Sequence, residues 1–135
     1  MADYFTHWLR IGEGGEESKL PKIFYVNWFR KDDQGKFLWP GFGENSRVLA
    51  WVFRRCDDQA EAEETPIGLV PTKDAIDTDG LDVNEEDMAL LLEVDREDWK
   101  LELPAIHQHF ARFGERLPEP LREQLSALEE RLGAR

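Results

Sequence analysis

Apolar residues recur at helical spacing at the start of the chain, where Tyr4, Phe5, Trp8, Leu9 and Ile11 fall within residues 2–11. This pattern predicts an amphipathic helix whose apolar face needs a partner. The stretch Gly12-Glu13-Gly14-Gly15-Glu16-Glu17-Ser18 reads as a polar, glycine-rich connection. Beyond Pro21, Lys22–Phe29 is rich in β-forming residues and gives the strongest strand expectation in the chain. Asp32-Asp33-Gln34-Gly35 is turn chemistry, with Gly35 suited to a left-handed position, and Lys36–Trp39 reads as the returning strand of a hairpin. Phe29 and Phe37 would then face one side of that hairpin, with Phe42 arriving from the loop that follows.

Asn45 or Ser46 can cap a helix carrying Val48, Leu49, Trp51, Val52 and Phe53 and ending near Cys56. Asp57–Glu64 reads as an acidic surface loop and Pro66–Val70 as a strand-like run. From Asn84 onward three helices are expected. The first has Asn84 with Asp87 ahead of Met88 and Leu90–Leu92, and the second has Asp95 with Asp98 ahead of Trp99, Leu101, Ile106, Phe110 and Phe113. Pro104 bends or interrupts that second helix, and Pro118 opens a third carrying Leu121, Leu125, Leu128 and Leu132. The expected class is therefore α+β: an N-terminal helix, a β-hairpin with an aromatic loop, then a mainly helical part. With 135 residues the chain is expected to form a single unit, residues 1–135.

Charge divides the chain more sharply than its net −12 suggests. Residues 19–55 carry eight basic and three acidic side chains, a net +5, whereas the remainder carries nine basic and 26 acidic, a net −17. The acidic balance disfavours nucleic acid and anionic membrane as partners, and the basic island suits a small anionic ligand. The single cysteine, Cys56, cannot form an internal disulfide and reads as a passive residue. No charged-then-apolar leader and no long apolar run occur, so the chain is expected to be soluble and cytoplasmic.

Within the island, Asn27–Asn45 sets five aromatics among glycines. Phe42 lies between Gly41 and Gly43, where a free backbone lets main chain and ring approach a ligand closely. Asn45 presents an amide acceptor and donor three positions later, a pair able to read the edge of a base stacked on phenylalanine. A planar-ligand site and a buried aromatic cluster both satisfy this pattern. The helix start beside the loop adds free N–H groups favourable to an anion.

Other chemistry is thin. Asp74, Asp77, Asp79 and Asp82 lack the calcium-loop frame, and His107 and His109 stand two apart, a poor metal pair on a helix. No G-x-x-x-x-G-K-[ST] phosphate loop occurs, and no catalytic residue or metal ligand is identified.

The string P-K-I-F-Y-V-N-W-F-R-K-D-D-Q-G-K-F-L-W-P-G-F-G-E-N-S-R-V-L-A-W, Pro21–Trp51, resembles the guanine-binding segment of GTP-dependent phosphoenolpyruvate carboxykinases. M-A-D-Y-F-T-H-W-L at the start, T-P-I-G-L-V-P at Thr65–Pro71 and L-E-E-R-L near the end are similar to further family elements. The resemblance implies a guanine-binding segment at 19–55 and a helical tail at 84–133, both in the C-terminal part of the nucleotide-binding lobe. It implies that Phe29, Phe37 and Phe42 enclose guanine, that Asn45 bonds its edge, that Gly43 and Glu44 contribute backbone, and that Trp28 supports them. The implied reaction converts oxaloacetate and GTP to phosphoenolpyruvate, GDP and carbon dioxide with manganese and magnesium. The residues that hold those metals, together with the phosphate loop, the reactive cysteine and the lid, are expected upstream of Met1. The chain is thus expected to be an inactive C-terminal fragment, partnered by guanine nucleotide and the upstream part of the enzyme, and to self-associate. The competing reading is a stand-alone acidic module whose aromatic hairpin binds a protein or single-stranded RNA.

Overall fold

A computed structural model describes residues 1–134. They fall into two compact units, one formed by Met1–Pro21 with the residues from Asp95 onward, the other by Lys22–Val94. The class is α+β as expected, with an opening helix, one two-stranded hairpin and a largely helical remainder, but the hairpin lies after the Asn45 helix and not in the aromatic segment.

In the first unit, helix α1 spans Ala2–Gly14. It runs three residues beyond the expected end, so the glycine-rich connection begins only at Gly15, which is extended. A side chain at Gly15 would meet Leu20, whose Cδ2 lies 2.7 Å from the position of an added Cβ. Two later helices, α4 (Arg96–Ala111) and α5 (Glu119–Leu132), pack through Leu103, Leu125 and Leu132, with Trp99, Ile106, Phe110 and Leu128 around them. Asp95 caps α4 through Oδ1, which accepts from the backbone N–H groups of Glu97 and Asp98. Pro104 lies inside α4 without interrupting it. Leu101, expected on the apolar face, is exposed, and Leu103 takes the buried position. Gly133 closes α5 in the left-handed conformation, the usual role of glycine just past a helix end.

The second unit holds the aromatic segment. Helix α2 is Asn45–Cys56 and helix α3 is Glu85–Leu92. Strands β1 (Ala62–Thr65) and β2 (Gly68–Pro71) pair antiparallel, from Thr65 opposite Gly68 to Ala62 opposite Pro71. Sequence reasoning assigned residues 62–64 to an acidic loop and Pro66 to a strand. Instead Pro66-Ile67 forms the turn, favoured by the fixed φ of proline and by Gly68 at φ +130°. The expected capping box is present at α3, with Asn84 accepting from the Asp87 backbone and Asp87 from that of Asn84. Trp39, Trp51, Ile76, Val83 and Met88 form the core of this unit, and Phe24, Trp28 and Val48 pack against it.

The strand expected at Lys22–Phe29 forms no ladder. Residues 22–27 lie in neither helix nor strand, with the Phe24 and Trp51 rings in a T-shaped contact at 6.1 Å while Ile23 and Tyr25 stand 93% and 95% exposed. β-propensity describes fit to a pleated, half-covered surface, and no strand lies alongside this segment among the described residues.

Candidate functional site

The chain reversal after Phe29 is built by Asp32. Its Oδ1 accepts from the backbone N–H groups of Gln34 and Lys36, both at 2.9 Å, and its carbonyl accepts from Gly35 at 3.0 Å. Gly35 takes φ +81°, as its place in the turn requires. The returning chain meets the outgoing one in a single bridge, Lys31 opposite Phe37, so the expected hairpin is reduced to its tip. The upstream end is bent by Asn27, whose Oδ1 accepts from the Phe29 N–H at 3.0 Å.

This tip brings Phe29 and Phe37 together, edge to face, with ring centroids 6.2 Å apart. Both are exposed, at 72% and 49%, and the Lys31 ammonium lies 4.6 Å from the centre of the Phe37 ring. The neighbouring Leu38 and Trp39 turn inward, and Trp28 is half-buried against the core. One aromatic segment therefore divides into rings that build the core and rings that water reaches.

Phe42 is 95% exposed, and among the described residues no ring contact joins it to Phe29 or Phe37. Its φ is +47°, an outlying conformation for a bulky residue and of the kind that clusters at ligand sites. Gly41 precedes it at φ +77° and ψ −165°, a region reserved for glycine. Gly43 needs neither special φ nor internal space, because a Cβ there would meet nothing within 4 Å.

Residues Phe42–Glu44 form a 3-10 turn that runs directly into α2, and this changes the expected helix cap. Asn45 is already helical and caps nothing. Its Oδ1 accepts a hydrogen bond from the Trp39 indole Nε1–H at 3.0 Å, while Ser46 Oγ donates to the Gly43 carbonyl at 2.7 Å. The Glu44 and Asn45 backbone N–H groups bond back into the turn. The helix start is thus less open to an anion than capping rules implied.

Most of the basic island is likewise engaged in structure. Lys22 donates to the Arg55 carbonyl and pairs with Asp58 at 2.7 Å, and Arg30 donates to the Glu93 carbonyl. Arg47 pairs with Glu44 at 2.7 Å and donates to the Asp77 carbonyl at 3.1 Å. Arg54 and Arg55 donate to the carbonyls of Ala75 and Ala60. Among the described residues Lys31 and Lys36 make no ion pair, and of the two Lys31 lies over the exposed Phe37 ring. Among the described residues no three side chains are grouped to hold a metal.

Residues 1–131 match the family model of the phosphoenolpyruvate carboxykinase C-terminal P-loop domain. The chain belongs to this family. Curated relatives include a GTP-dependent phosphoenolpyruvate carboxykinase of Treponema pallidum, 52% identical over 98% of this chain. Others come from Renibacterium salmoninarum, 50% identical over 97%, and Neocallimastix frontalis, 52% identical over 99%. The chain spans 22% of the length of each of these relatives. Membership in the carboxykinase family agrees with the resemblance carried by Pro21–Trp51, and the matched range takes in both the aromatic segment and nearly all of the helical tail.

Sequence reasoning missed Trp39 as a site-building residue, since a tryptophan at the end of an expected strand reads as core. The signal was its indole N–H, which seeks an acceptor when buried.

Proposed function

We propose that this chain is the guanine-recognition part of a GTP-dependent phosphoenolpyruvate carboxykinase, an enzyme that converts oxaloacetate and GTP to phosphoenolpyruvate, GDP and carbon dioxide. The observation that carries the reading is the sorting of aromatics within one segment. Trp39 and Trp51 are buried while Phe29, Phe37 and Phe42 remain open, and the Asn45 amide, tied to Trp39 through its oxygen, has an NH2 group with no partner among the described residues. Phe29, Phe37 and Phe42 supply stacking faces, each contact worth about 1–3 kcal/mol by analogy with nucleic-acid sites. Asn45 reads the base edge. Gly43, open on its hydrogen side, lets the ligand approach the main chain, and Glu44 contributes through backbone because Arg47 holds its carboxylate.

The phosphate-loop pattern does not occur in the 135 residues, so the chain alone is proposed to bind GTP weakly and to turn over no oxaloacetate. Manganese and magnesium enter this proposal only with the rest of the longer enzyme, which is the chain's natural partner in the cytoplasm. Copies of the isolated chain are proposed to self-associate through exposed apolar side chains.

Titration with GTP, ATP and a short single-stranded oligonucleotide tests the reading. GTP is expected to bind in preference to the others, and Asn45→Ala to erase its advantage over ATP. An unchanged preference would remove Asn45 from the site, tighter binding of the oligonucleotide would favour a nucleic-acid module, and turnover by the purified chain with manganese would overturn its proposed inactivity.

A further inference from the structure

An asparagine amide can turn either end toward a ligand, and the two ends look alike in shape. At Asn45 that freedom is removed from behind. Trp39 is 6% exposed, belongs to the core with Trp51, Ile76, Val83 and Met88, and its indole offers only a donor. The Trp39 Nε1–H to Asn45 Oδ1 bond of 3.0 Å therefore requires the carbonyl end to face the core. Reversing the amide would set two donors against each other and leave a buried indole N–H unsatisfied. Among the described residues the end left without a partner is the NH2, a donor.

We infer that Trp39 is a positioning residue for base selection: it fixes the Asn45 amide with its NH2 toward the ligand, so the site accepts a ring edge carrying an acceptor there. This inference rests on Asn45 being the edge reader and adds the reason its reading has one sign. The 6-keto oxygen of guanine is such an acceptor. The 6-amino group of adenine would instead place a donor against a donor.

The test uses the whole chain with nucleotides at millimolar concentration and reads affinity by saturation-transfer NMR. Trp39→Phe keeps an aromatic in the core and removes the donor. Its GTP-to-ATP affinity ratio is expected to fall about 3- to 10-fold, the worth of one net hydrogen bond, with ATP binding little changed. In the unsubstituted chain the Trp39 indole proton should exchange slowly with solvent, and Asn45→Ala should shift its resonance upfield. Should Trp39→Phe fail to fold, 2-aminopurine riboside triphosphate, which lacks the 6-keto oxygen, decides the matter with the unaltered protein and is expected to bind more weakly than GTP. If Asn45→Ala erases the guanine preference and Trp39→Phe retains it, the positioning role is wrong while the edge reading stands. Equal binding of 2-aminopurine riboside triphosphate and GTP also overturns the inference. If the unaltered chain shows no guanine preference, the edge reading fails and the inference with it.

Discussion

Phe42 combines a left-handed backbone with an almost wholly exposed ring, two features that fold stability alone would select against. A bulky residue at φ +47° costs on the order of 1–2 kcal/mol, and no packing of its ring offsets that cost. Phe42→Ala is therefore expected to leave the melting temperature nearly unchanged while weakening guanine-nucleotide binding by about 1–3 kcal/mol, as read by parallel calorimetry and titration. A large fall in melting temperature would mean that the ring has a structural partner. Asp58 gives a second residue-scale expectation. The hydrogen bond from Lys22, reinforced by the lysine charge, holds its carboxyl below the usual aspartate range. A depressed carboxylate contributes stability above its unfolded-state value and loses it as pH falls through the folded-state value. The Lys22 to Asp58 tie should thus persist at neutral pH and release only in acid. Carbon-detected NMR titration of Asp58 should give a midpoint below an ordinary aspartate, restored to the ordinary range by Lys22→Ala.

Local chemistry made some elements plain in the sequence and left others hidden. The capping box of Asn84 and Asp87, the Asp32–Gly35 turn and the opening of α4 at Asp95 each depend on residues within four positions, and each forms as the spacing predicts. Asn84→Ala should cost about 1 kcal/mol in thermal or denaturant unfolding, with loss of amide-exchange protection concentrated in α3. Uniform loss across the unit would point away from a local cap. The irregular course of residues 22–27 was illegible for the opposite reason. A strand is completed by a neighbour, and their β-branched and aromatic side chains state a preference without supplying one. The meeting of Phe29 and Phe37 was legible because a turn lies between them, whereas the separate course of Phe42 was not. Nor was the Trp39 to Asn45 bond, because it depends on how the chain closes across six positions. Capping statistics favoured a different role for Asn45, and the demand of a buried indole prevailed.

At the scale of the whole molecule, charge and apolar exposure pull in opposite directions. The net charge of −12 favours solubility and mutual repulsion, yet Ile23, Tyr25, Phe53, Leu69 and Leu101 stand open. Sedimentation velocity should therefore show association that grows with protein concentration and with salt, as screening weakens repulsion over about 10 Å at 0.1 M. A single monomeric species across both series would count against the proposed self-association. Family membership was legible in the longest matching string, whereas the separation into two compact units was not, because helical periodicity assigns faces without assigning the helix each face meets.

The ammonium of Lys31 over the Phe37 ring bears on how many flat molecules the segment can seat. The lysine takes up one face of that ring, and the Phe29 ring stands steeply tilted to it with centroids 6.2 Å apart. With cation and ring crowded together in this way, the proposed site would seat a solitary base, and a column of bases threaded along a strand would find no room.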